Sequence, residues 1–204
     1  MKNKKELKIL IATLLGLFFV SCTYGFIYET IFYRINDGIW LRRGTCFGPF
    51  IQIYGYGGIF IYFLCHKLKG HPIKTALISG IVCGAFEYIV GWLMYVTMDG
   101  FRSWDYNTEI WNWGNINGFI CFRSVAVFAL SGVILIEFVL PIFNWLRNKI
   151  GDDKYFWILT ILGTICFADC FYNDIMTKFF PSIENAMDWW TRHGWINKER
   201  GLNI

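Results

Sequence analysis

The chain has 204 residues, of which 55% are hydrophobic and 20% are aromatic, while only 17% are charged. Soluble domains carry about 25% charged residues. The composition therefore argues against a soluble domain and favours a small multi-span membrane protein with one helical bundle as its core. The net charge of +4 is modest, and the lysines and arginines lie in short connections and tails. This distribution excludes an electrostatic surface for nucleic acid.

Five apolar stretches are predicted to cross the lipid bilayer, so the predicted fold class is all-α, a polytopic membrane helix bundle. In chain order they cover residues 9–33, 50–65, 73–98, 119–145 and 155–176. A membrane span needs about 20 residues. The second stretch is shorter and is interrupted by Gly55, Gly57 and Gly58. We therefore predict a short or broken second helix, unless this helix begins earlier, near Thr45.

The first stretch is predicted to be a retained helix and not a cleaved signal. Lys2, Lys4, Lys5 and Lys8 precede it, as basic residues do in a signal peptide. The apolar run, however, continues past Cys22 as far as Ile31. A run of this length is sufficient to cross the bilayer.

The distribution of basic residues predicts the orientation in the membrane. Ten lysines and arginines flank the spans on the side of the N-terminus, namely Lys2, Lys4, Lys5, Lys8, Lys67, Lys69, Lys74, Arg147, Lys149 and Lys154. Five flank the other side, namely Arg34, Arg42, Arg43, Arg102 and Lys178. Because cytoplasmic loops are enriched in Lys and Arg, we predict a plasma-membrane protein with a cytoplasmic N-terminus and an external C-terminus.

The longest predicted external loop, residues 99–118, is rich in aromatic side chains. It contains Phe101, Trp104, Tyr106, Trp111 and Trp113. Loops of this length are usually functional or disordered, and disordered segments are poor in aromatic residues. Two interpretations stay open. One is a folded lid, and the other is a belt of aromatic side chains at the level of the lipid headgroups.

The predicted domain organisation is a single transmembrane domain, residues 1–176, followed by an external tail, residues 177–204. Ser182 is predicted to cap a short helix in this tail. The tail combines three tryptophans with charged residues, namely Trp189, Trp190, Trp195, Asp188, Arg192, Lys198 and Arg200. Such a mixture is typical of an amphipathic helix that lies on the membrane surface.

Charged residues inside four of the five predicted spans are the first candidates for a functional site. They are Glu29, Glu87, Arg123 and Asp169. A charge in hydrocarbon is costly, so such a residue usually faces a cavity or a partner. With a rise of 1.5 Å per residue, all four are expected in the external half of the bundle. Arg42 and Arg43 lie at the membrane edge and would balance the excess of acids.

Structural explanations compete with a functional role for three of these residues. Glu29 lies close enough to the end of its span to reach water. Arg123 has a side chain long enough to extend to the membrane interface. Asp169 has local partners in Tyr172 and Asn173. Glu87 lies near the middle of its span and is the strongest candidate for a buried, partnered carboxylate.

No metal centre and no cofactor are predicted. The three histidines are isolated, and the sequence contains neither a C-x-x-C pair nor the G-x-x-x-x-G-K-[ST] phosphate-binding loop. The seven cysteines are interpreted mainly as packing residues. Cys166 and Cys170 lie one helical turn apart, which alone is a weak metal signal. A disulfide between Cys46 and Cys121 stays open.

An ordered set of short motifs resembles the bacterial family named putative ABC-transporter type IV, or CmpB. The set consists of Gly25-Phe26-x-Tyr28-Glu29, Arg43-Gly44-x-x-x-Gly48-Pro49, Ile53-Tyr54-Gly55-Tyr56-Gly57, Glu87-Tyr88, Trp104-Asp105-Tyr106 and Asn115-Ile116-Asn117-Gly118-x-Ile120-Cys121. Animal transmembrane protein 229 looks like a distant relative. The chain departs from the family pattern at Arg42, Gln52 and Phe119. The resemblance implies a multi-pass protein of the bacterial inner membrane, with a permease-like role in transport.

The first functional hypothesis is a transporter component with a polar cavity in the external half of the bundle. The candidate cavity residues are Glu29, Arg43, Glu87, Trp104, Asp105, Tyr106, Asn115, Asn117, Arg123 and Asp169. Its expected partners are the lipid bilayer, an unknown small polar solute or lipid headgroup, and a separate ATPase or other membrane subunit. Charged cavities near broken helices are how carriers hold solutes.

Two hypotheses of other classes stay open. In a membrane enzyme acting on a lipid or isoprenoid headgroup, Glu87 or Asp105 would act as acid or base, and Arg43 with Arg123 would hold a phosphate or carboxylate. The absence of a defined nucleophile counts against it. In a non-catalytic assembly or regulatory subunit, the buried charges would only hold the bundle together.

Overall fold

The computed structural model describes residues 2–38 and 40–194, and this part of the chain is helical with irregular connections. The helices are α1 (Lys2–Asp37), α2 (Gln52–Cys65), α3 (Pro72–Thr97), α4 (Phe122–Ile134), α5 (Leu140–Ile150), α6 (Asp152–Phe171), α7 (Thr177–Phe179) and α8 (Ala186–Arg192). A 3-10 turn, His66–Leu68, follows α2, and π-helical turns occupy Leu135–Val139 and Tyr172–Met176. Over the described residues, strand pairing is limited to one isolated bridge between Ile116 and Ile120.

Four continuous helical segments in the described part of the chain are long and apolar enough to cross a membrane. They are Lys4–Asp37, Pro72–Thr97, Phe122–Ile150 and Asp152–Phe179. Helix α2 has only 14 residues, fewer than the roughly 20 that a span requires. The predicted all-α membrane helix bundle is thus confirmed, and so is the short second helix.

The chain forms two compact units. The first draws its described residues from Met1–Ile59 and Phe143–Asn203, and the second comprises Phe60–Ile142. The expectation of one transmembrane domain over residues 1–176, with a separate tail, stays a prediction.

In the first unit, α1 packs against α6 through a close approach at Gly163. A Cβ atom on Gly163 would lie 2.6 Å from the backbone oxygen of Leu15, so this helix pair requires a residue without a side chain there. Small residues that bring helix backbones together are typical of membrane helix pairs. At one end of the unit, Asp152 holds Lys5 at 2.8 Å and Arg147 at 2.6 Å.

In the second unit, α3 packs against α4 along a row of glycines. Gly80, Gly84 and Gly91 recur at helical spacing, a pattern that predicts helix packing. A Cβ atom on Gly80 would contact Val125 and Ala129 of α4 at 3.3–3.4 Å. Gly84 likewise faces Val125, whereas Gly91 faces Trp104 and Phe119, which lie between the two helices. All three glycines are therefore packing positions, but only Gly80 and Gly84 meet α4.

The tail begins differently from the sequence-based expectation. Helix α8 is capped by Asn185, whose side chain accepts a 2.8 Å hydrogen bond from the backbone N–H of Asp188. The prediction that Ser182 would be the cap is wrong, because the chain turns without helix over Pro181–Asn185. Trp195, Lys198 and Arg200, which belong to the predicted interfacial tail, lie outside the described residues.

We expect Gly163→Ala to lower the free energy of unfolding by about 2–3 kcal/mol, because the new methyl group would meet rigid backbone and overpacking costs about 1–3 kcal/mol. Gly16→Ala is the matched control in the same helix pair. Its methyl group would meet the side chains of Leu159 and Phe143 at 2.9–3.0 Å, which can move. Thermal unfolding of the purified protein in detergent compares the two variants, and a larger loss for Gly16→Ala would contradict this account of the α1–α6 contact.

Candidate functional site

The ten candidate site residues are distributed over the two units. The first unit contains Glu29, Arg43 and Asp169, and the second contains Glu87, Trp104, Asp105, Tyr106, Asn115, Asn117 and Arg123. In each unit, these residues lie in or contact one connecting segment. This segment is the α1–α2 loop (residues 38–51) in the first unit and the α3–α4 loop (residues 98–121) in the second. Their roles in binding stay predictions, and the contacts within each unit are described in turn.

The α1–α2 loop is folded around Arg42. Its Nη2 donates to the backbone carbonyls of Cys46, Phe47 and Gly48 at 2.6–2.9 Å. The guanidinium also lies 4.2 Å from the ring centroid of Trp190 in α8. Burial lowers the pKa of the Arg42 guanidinium, and the nearby Asp169 carboxylate opposes this shift. An arginine that binds three successive carbonyl groups fixes the local backbone, because its planar donors are rigid.

Asp169 anchors the same loop to α6. Its carboxylate accepts hydrogen bonds from the backbone N–H groups of Phe47, at 3.0 Å, and Gly48, at 2.6 Å. The side chain of Asn173 donates to the same carboxylate at 2.8 Å, which confirms the local pairing considered from the sequence. Two backbone donors satisfy a carboxylate that would otherwise be costly in a membrane span.

A π-helical turn, Tyr172–Met176, places two further polar residues beside this contact. Asp174 accepts a 2.8 Å hydrogen bond from the hydroxyl of Thr45. Asn173 accepts a 2.7 Å hydrogen bond from the backbone N–H of Ala186, at the start of α8. π-helical turns occur frequently at functional sites, and here the extra residue in the turn brings α6, the α1–α2 loop and α8 together.

Glu29 and Arg43 form the second polar contact of the first unit. The Arg43 Nε lies 3.1 Å from the Glu29 carboxylate, and the side chains are 8% and 19% exposed. The Arg43 guanidinium also lies 4.1 Å from the ring centroid of Tyr33. As the sequence suggested, an arginine of the loop supplies the positive charge that Glu29 requires. The low exposure makes this pair more than a surface ion pair.

In the second unit, Glu87 is held by the α3–α4 loop. The hydroxyl of Tyr106 donates to the Glu87 carboxylate at 2.7 Å, and both residues are buried. The prediction of a buried, partnered carboxylate in the middle of α3 is therefore confirmed. The partner is a phenol and not a cation.

Arg123 pairs with Glu109, a residue that the sequence analysis did not select. Arg123 Nη2 contacts the Glu109 carboxylate, and the side chains are 10% and 5% exposed. Arg123 thus has an acidic partner inside the unit, and its extension to the membrane interface stays a prediction. Glu109 is one of two acids, with Asp105, in the aromatic run 101–113, and a basic residue begins the next span. This complement of charge was the available signal, but it does not tell which acid pairs with Arg123.

The rest of the α3–α4 loop is folded by its own polar side chains. Asp105 accepts hydrogen bonds from the backbone and side chain of Asn107 at 3.0 and 2.6 Å. Asn115 donates to Asn107 at 2.8 Å, and Asn117 donates to the hydroxyl of Tyr88 on α3 at 3.1 Å. The indole of Trp104 donates to the carbonyl of Phe119 at 3.1 Å. These bonds confirm a folded loop, and its level in the membrane stays untested.

The seven cysteines are all free and buried. The sulfur of Cys46 lies 3.5 Å from that of Cys170, so the disulfide with Cys121 that the sequence left open is not formed. The contact with Cys170 and burial both raise the pKa of the Cys46 thiol. Three sulfurs, those of Cys22, Cys166 and Cys170, lie within 4.8 Å of one another and are the residues in the described part of the chain that could hold a metal ion.

These observations define the class of protein. The chain is an all-α membrane protein with several spanning helices, in which two folded loops supply partners to ionisable residues of the spans. It belongs to the family described as Putative ABC-transporter type IV, whose model matches residues 16–173. The match includes all ten candidate site residues and is longer than the stretch that carried the sequence resemblance. No curated protein and no solved structure matches the chain.

We expect Gly118→Ala to unfold the α3–α4 loop. Gly118 has a φ of +78°, and a Cβ atom there would overlap the polar ends of Arg102, Asp105 and Asn107. Unlike the apolar side chains at Gly16, these ends are held by hydrogen bonds of the loop and can move only by breaking them. Gly114→Ala is the control, because Gly114 also has a positive φ, +64°, but its nearest neighbour would be 3.9 Å away. The control variant should lose about 1–2 kcal/mol from backbone strain alone, and Gly118→Ala distinctly more.

Hydrogen exchange of the loop amides measures this difference. Gly118→Ala should lose protection throughout residues 98–121, and Gly114→Ala should keep most of it. Equal protection in the two variants would contradict the packing described around Gly118.

Proposed function

We propose that the protein is the membrane-embedded, permease-like component of an ABC-type transporter that handles a small polar solute. The observation that carries this proposal is that the α3–α4 loop provides partners to two ionisable residues on different spans of its unit, Glu87 on α3 and Arg123 on α4. Tyr106 binds Glu87, and Glu109 binds Arg123. A loop that covers embedded charges in this way has the form of a gate.

The proposed mechanism exchanges loop contacts for solute contacts. When the loop opens, Tyr106 moves away from Glu87, and the Glu87 carboxylate becomes available as a hydrogen-bond acceptor. Glu109 moves away from Arg123, and the Arg123 guanidinium becomes available as a donor. A solute that carries both a donor or positive charge and an anionic group replaces both partners, so that neither buried charge remains unpaired. Family membership supports a role in transport. The energy would come from ATP hydrolysis on a separate subunit.

A second candidate function is that of a non-catalytic assembly subunit. It is favoured by the fact that Glu29, Glu87, Arg123 and Asp169 each have a protein partner. Partnered polar groups of this kind can stabilise one packing arrangement of a bundle. In this alternative the α3–α4 loop would stay closed, and its polar contacts would have a structural role only.

Exchanging the charges of Glu109 and Arg123 separates the two functions. Glu109→Arg alone should disrupt the loop, because it places two cations together. Adding Arg123→Glu restores an ion pair in which the two charges have exchanged positions. Hydrogen exchange should then show renewed protection of residues 98–121. If Arg123 receives the solute, the double variant should fold and yet leave transport reduced at least tenfold, since the anion-binding charge is now negative.

The transport readout is the difference in solute profile between cells that express each variant and cells without the protein. Glu137→Gln is the matched control, because Glu137 is a carboxylate in the α4–α5 span whose partner is the backbone N–H of Gly70 and not the α3–α4 loop. This control should keep the wild-type profile. A double variant that recovers both loop protection and the wild-type profile would contradict solute binding at Arg123 and favour the assembly subunit.

We further propose that the N-terminus is cytoplasmic and the C-terminus external in the plasma membrane. The excess of basic residues at the N-terminal side supports this orientation. Two of these residues, Lys5 and Arg147, meet at Asp152, as expected for positions on one side of the membrane.

Reporter fusions test the orientation. A reporter enzyme that is active only in the cytoplasm should work when it is fused to the N-terminus, and it should be inactive at the C-terminus. Activity at the C-terminus would reverse the proposed location of that end, and the N-terminal fusion controls for expression and insertion.

A further inference from the structure

Four cysteine sulfurs converge in the core of the first unit. Cys22 belongs to α1, Cys46 to the α1–α2 loop, and Cys166 and Cys170 to α6. All four are at most 4% exposed and belong to one buried cluster with Phe18 and Phe50. The residues therefore come from three separate segments, and they meet although Cys46 and Cys170 are 124 positions apart.

The spacing of the sulfurs is close to that of a metal-thiolate site. The sulfurs of Cys22, Cys166 and Cys170 lie within 4.8 Å of one another, and the Cys46 sulfur lies 3.5 Å from that of Cys170. Around one tetrahedral ion with metal–sulfur bonds of about 2.3 Å, the sulfurs would be about 3.8 Å apart. Cys22, Cys166 and Cys170 are near this spacing, with Cys166 and Cys170 on one face of α6. Cys46 approaches the group through Cys170 and is the candidate fourth ligand.

Ordinary packing explains buried cysteines but not their convergence. The chain has three more buried cysteines, Cys65, Cys83 and Cys121. Among the described residues, only Cys22, Cys166 and Cys170 form a group with metal-ligand spacing. Burial of sulfur alone is therefore common to all seven, whereas metal-ligand spacing is a property of Cys22, Cys166 and Cys170, with Cys46 beside Cys170.

The surroundings of the cluster suit a positive ion with thiolate ligands. Arg42 binds the backbone carbonyl of Cys46, which puts one fixed positive charge beside the ligands. Asp169 binds the adjacent amides of Phe47 and Gly48, and its charge balances that of Arg42. A buried set of thiolates would be costly without a cation. A metal ion replaces the thiol protons and supplies that cation.

We propose that Cys22, Cys46, Cys166 and Cys170 bind one thiophilic metal ion of the Zn²⁺ or Cu⁺ class. Soft thiolate ligands select these ions. Because the four side chains are closed off from solvent, the site is a structural one that ties the α1–α2 loop to α1 and α6, and closed coordination is typical of structural sites. The proposal is independent of the transport function.

The test uses the full-length protein, purified in detergent under reducing conditions and loaded separately with Zn²⁺ and Cu⁺. Elemental analysis should give about one ion per chain for one of the two metals. X-ray absorption of that sample should show three or four sulfur ligands, at about 2.3 Å for Zn²⁺. Removal of the ion by a chelator should lower the thermal unfolding midpoint.

Paired variants assign the ligands. Cys166→Ser combined with Cys170→Ser should reduce metal occupancy at least tenfold, whereas Cys83→Ser combined with Cys121→Ser should bind the ion as the wild type does. If a ligand variant fails to fold, the number of sulfur ligands measured by X-ray absorption on the wild-type protein still tests the proposal. Three results would each overturn the proposal: no bound metal after loading, a Cys46–Cys170 disulfide that persists under the reducing conditions of the test, or full occupancy in the folded Cys166→Ser and Cys170→Ser variant.

Discussion

The cost of placing charges in a membrane span is the constraint on which the rest of this structure depends. Glu29, Glu87, Arg123 and Asp169 each have a partner within their own unit, and three of them, Glu29, Glu87 and Arg123, pair with a side chain from a connecting loop. Removing one partner of a buried pair costs about 3–5 kcal/mol. The loops are therefore part of the fold and not appendages to it, since the spans would be unstable without their partners.

The same requirement explains why the two loops are ordered along most of their length. Arg42 donates hydrogen bonds to three backbone carbonyl groups of its loop, and Asp169 accepts hydrogen bonds from two backbone N–H groups of the same segment. Unpaired backbone groups are costly near hydrocarbon, and these two side chains satisfy several of them at once. In the α3–α4 loop, Asp105 and Asn115 accept hydrogen bonds from the backbone N–H groups of Asn107 and Gly118. The side chain of Asn112 donates to the backbone carbonyl of Tyr106.

Local features of the fold were predictable, and long-range contacts were not. The four long spans and the short α2 follow from runs of apolar residues. Glu87 was identified because a carboxylate in the middle of a span is costly unless it is buried with a partner. Glu109 was missed because its partner, Arg123, is defined only once the loop folds back. Asn185 caps α8 in place of Ser182 because the chain turns at Pro181 and Ser182 without starting a helix, which begins only at Ala186. The sulfur cluster depends on contacts between residues more than 100 positions apart.

The length of α1 has a consequence for how the protein sits in lipid. This helix has 36 residues and is about 54 Å long, whereas the hydrocarbon layer is about 30 Å thick. The whole of α1 must therefore tilt within the bilayer, or part of it must project beyond the hydrocarbon layer. Its flanking lysines and Arg34 would then lie at the level of the headgroups. A helix with such excess length adapts to thin and thick membranes by changing its tilt, so the protein should tolerate changes in lipid chain length better than the short α2 alone would suggest.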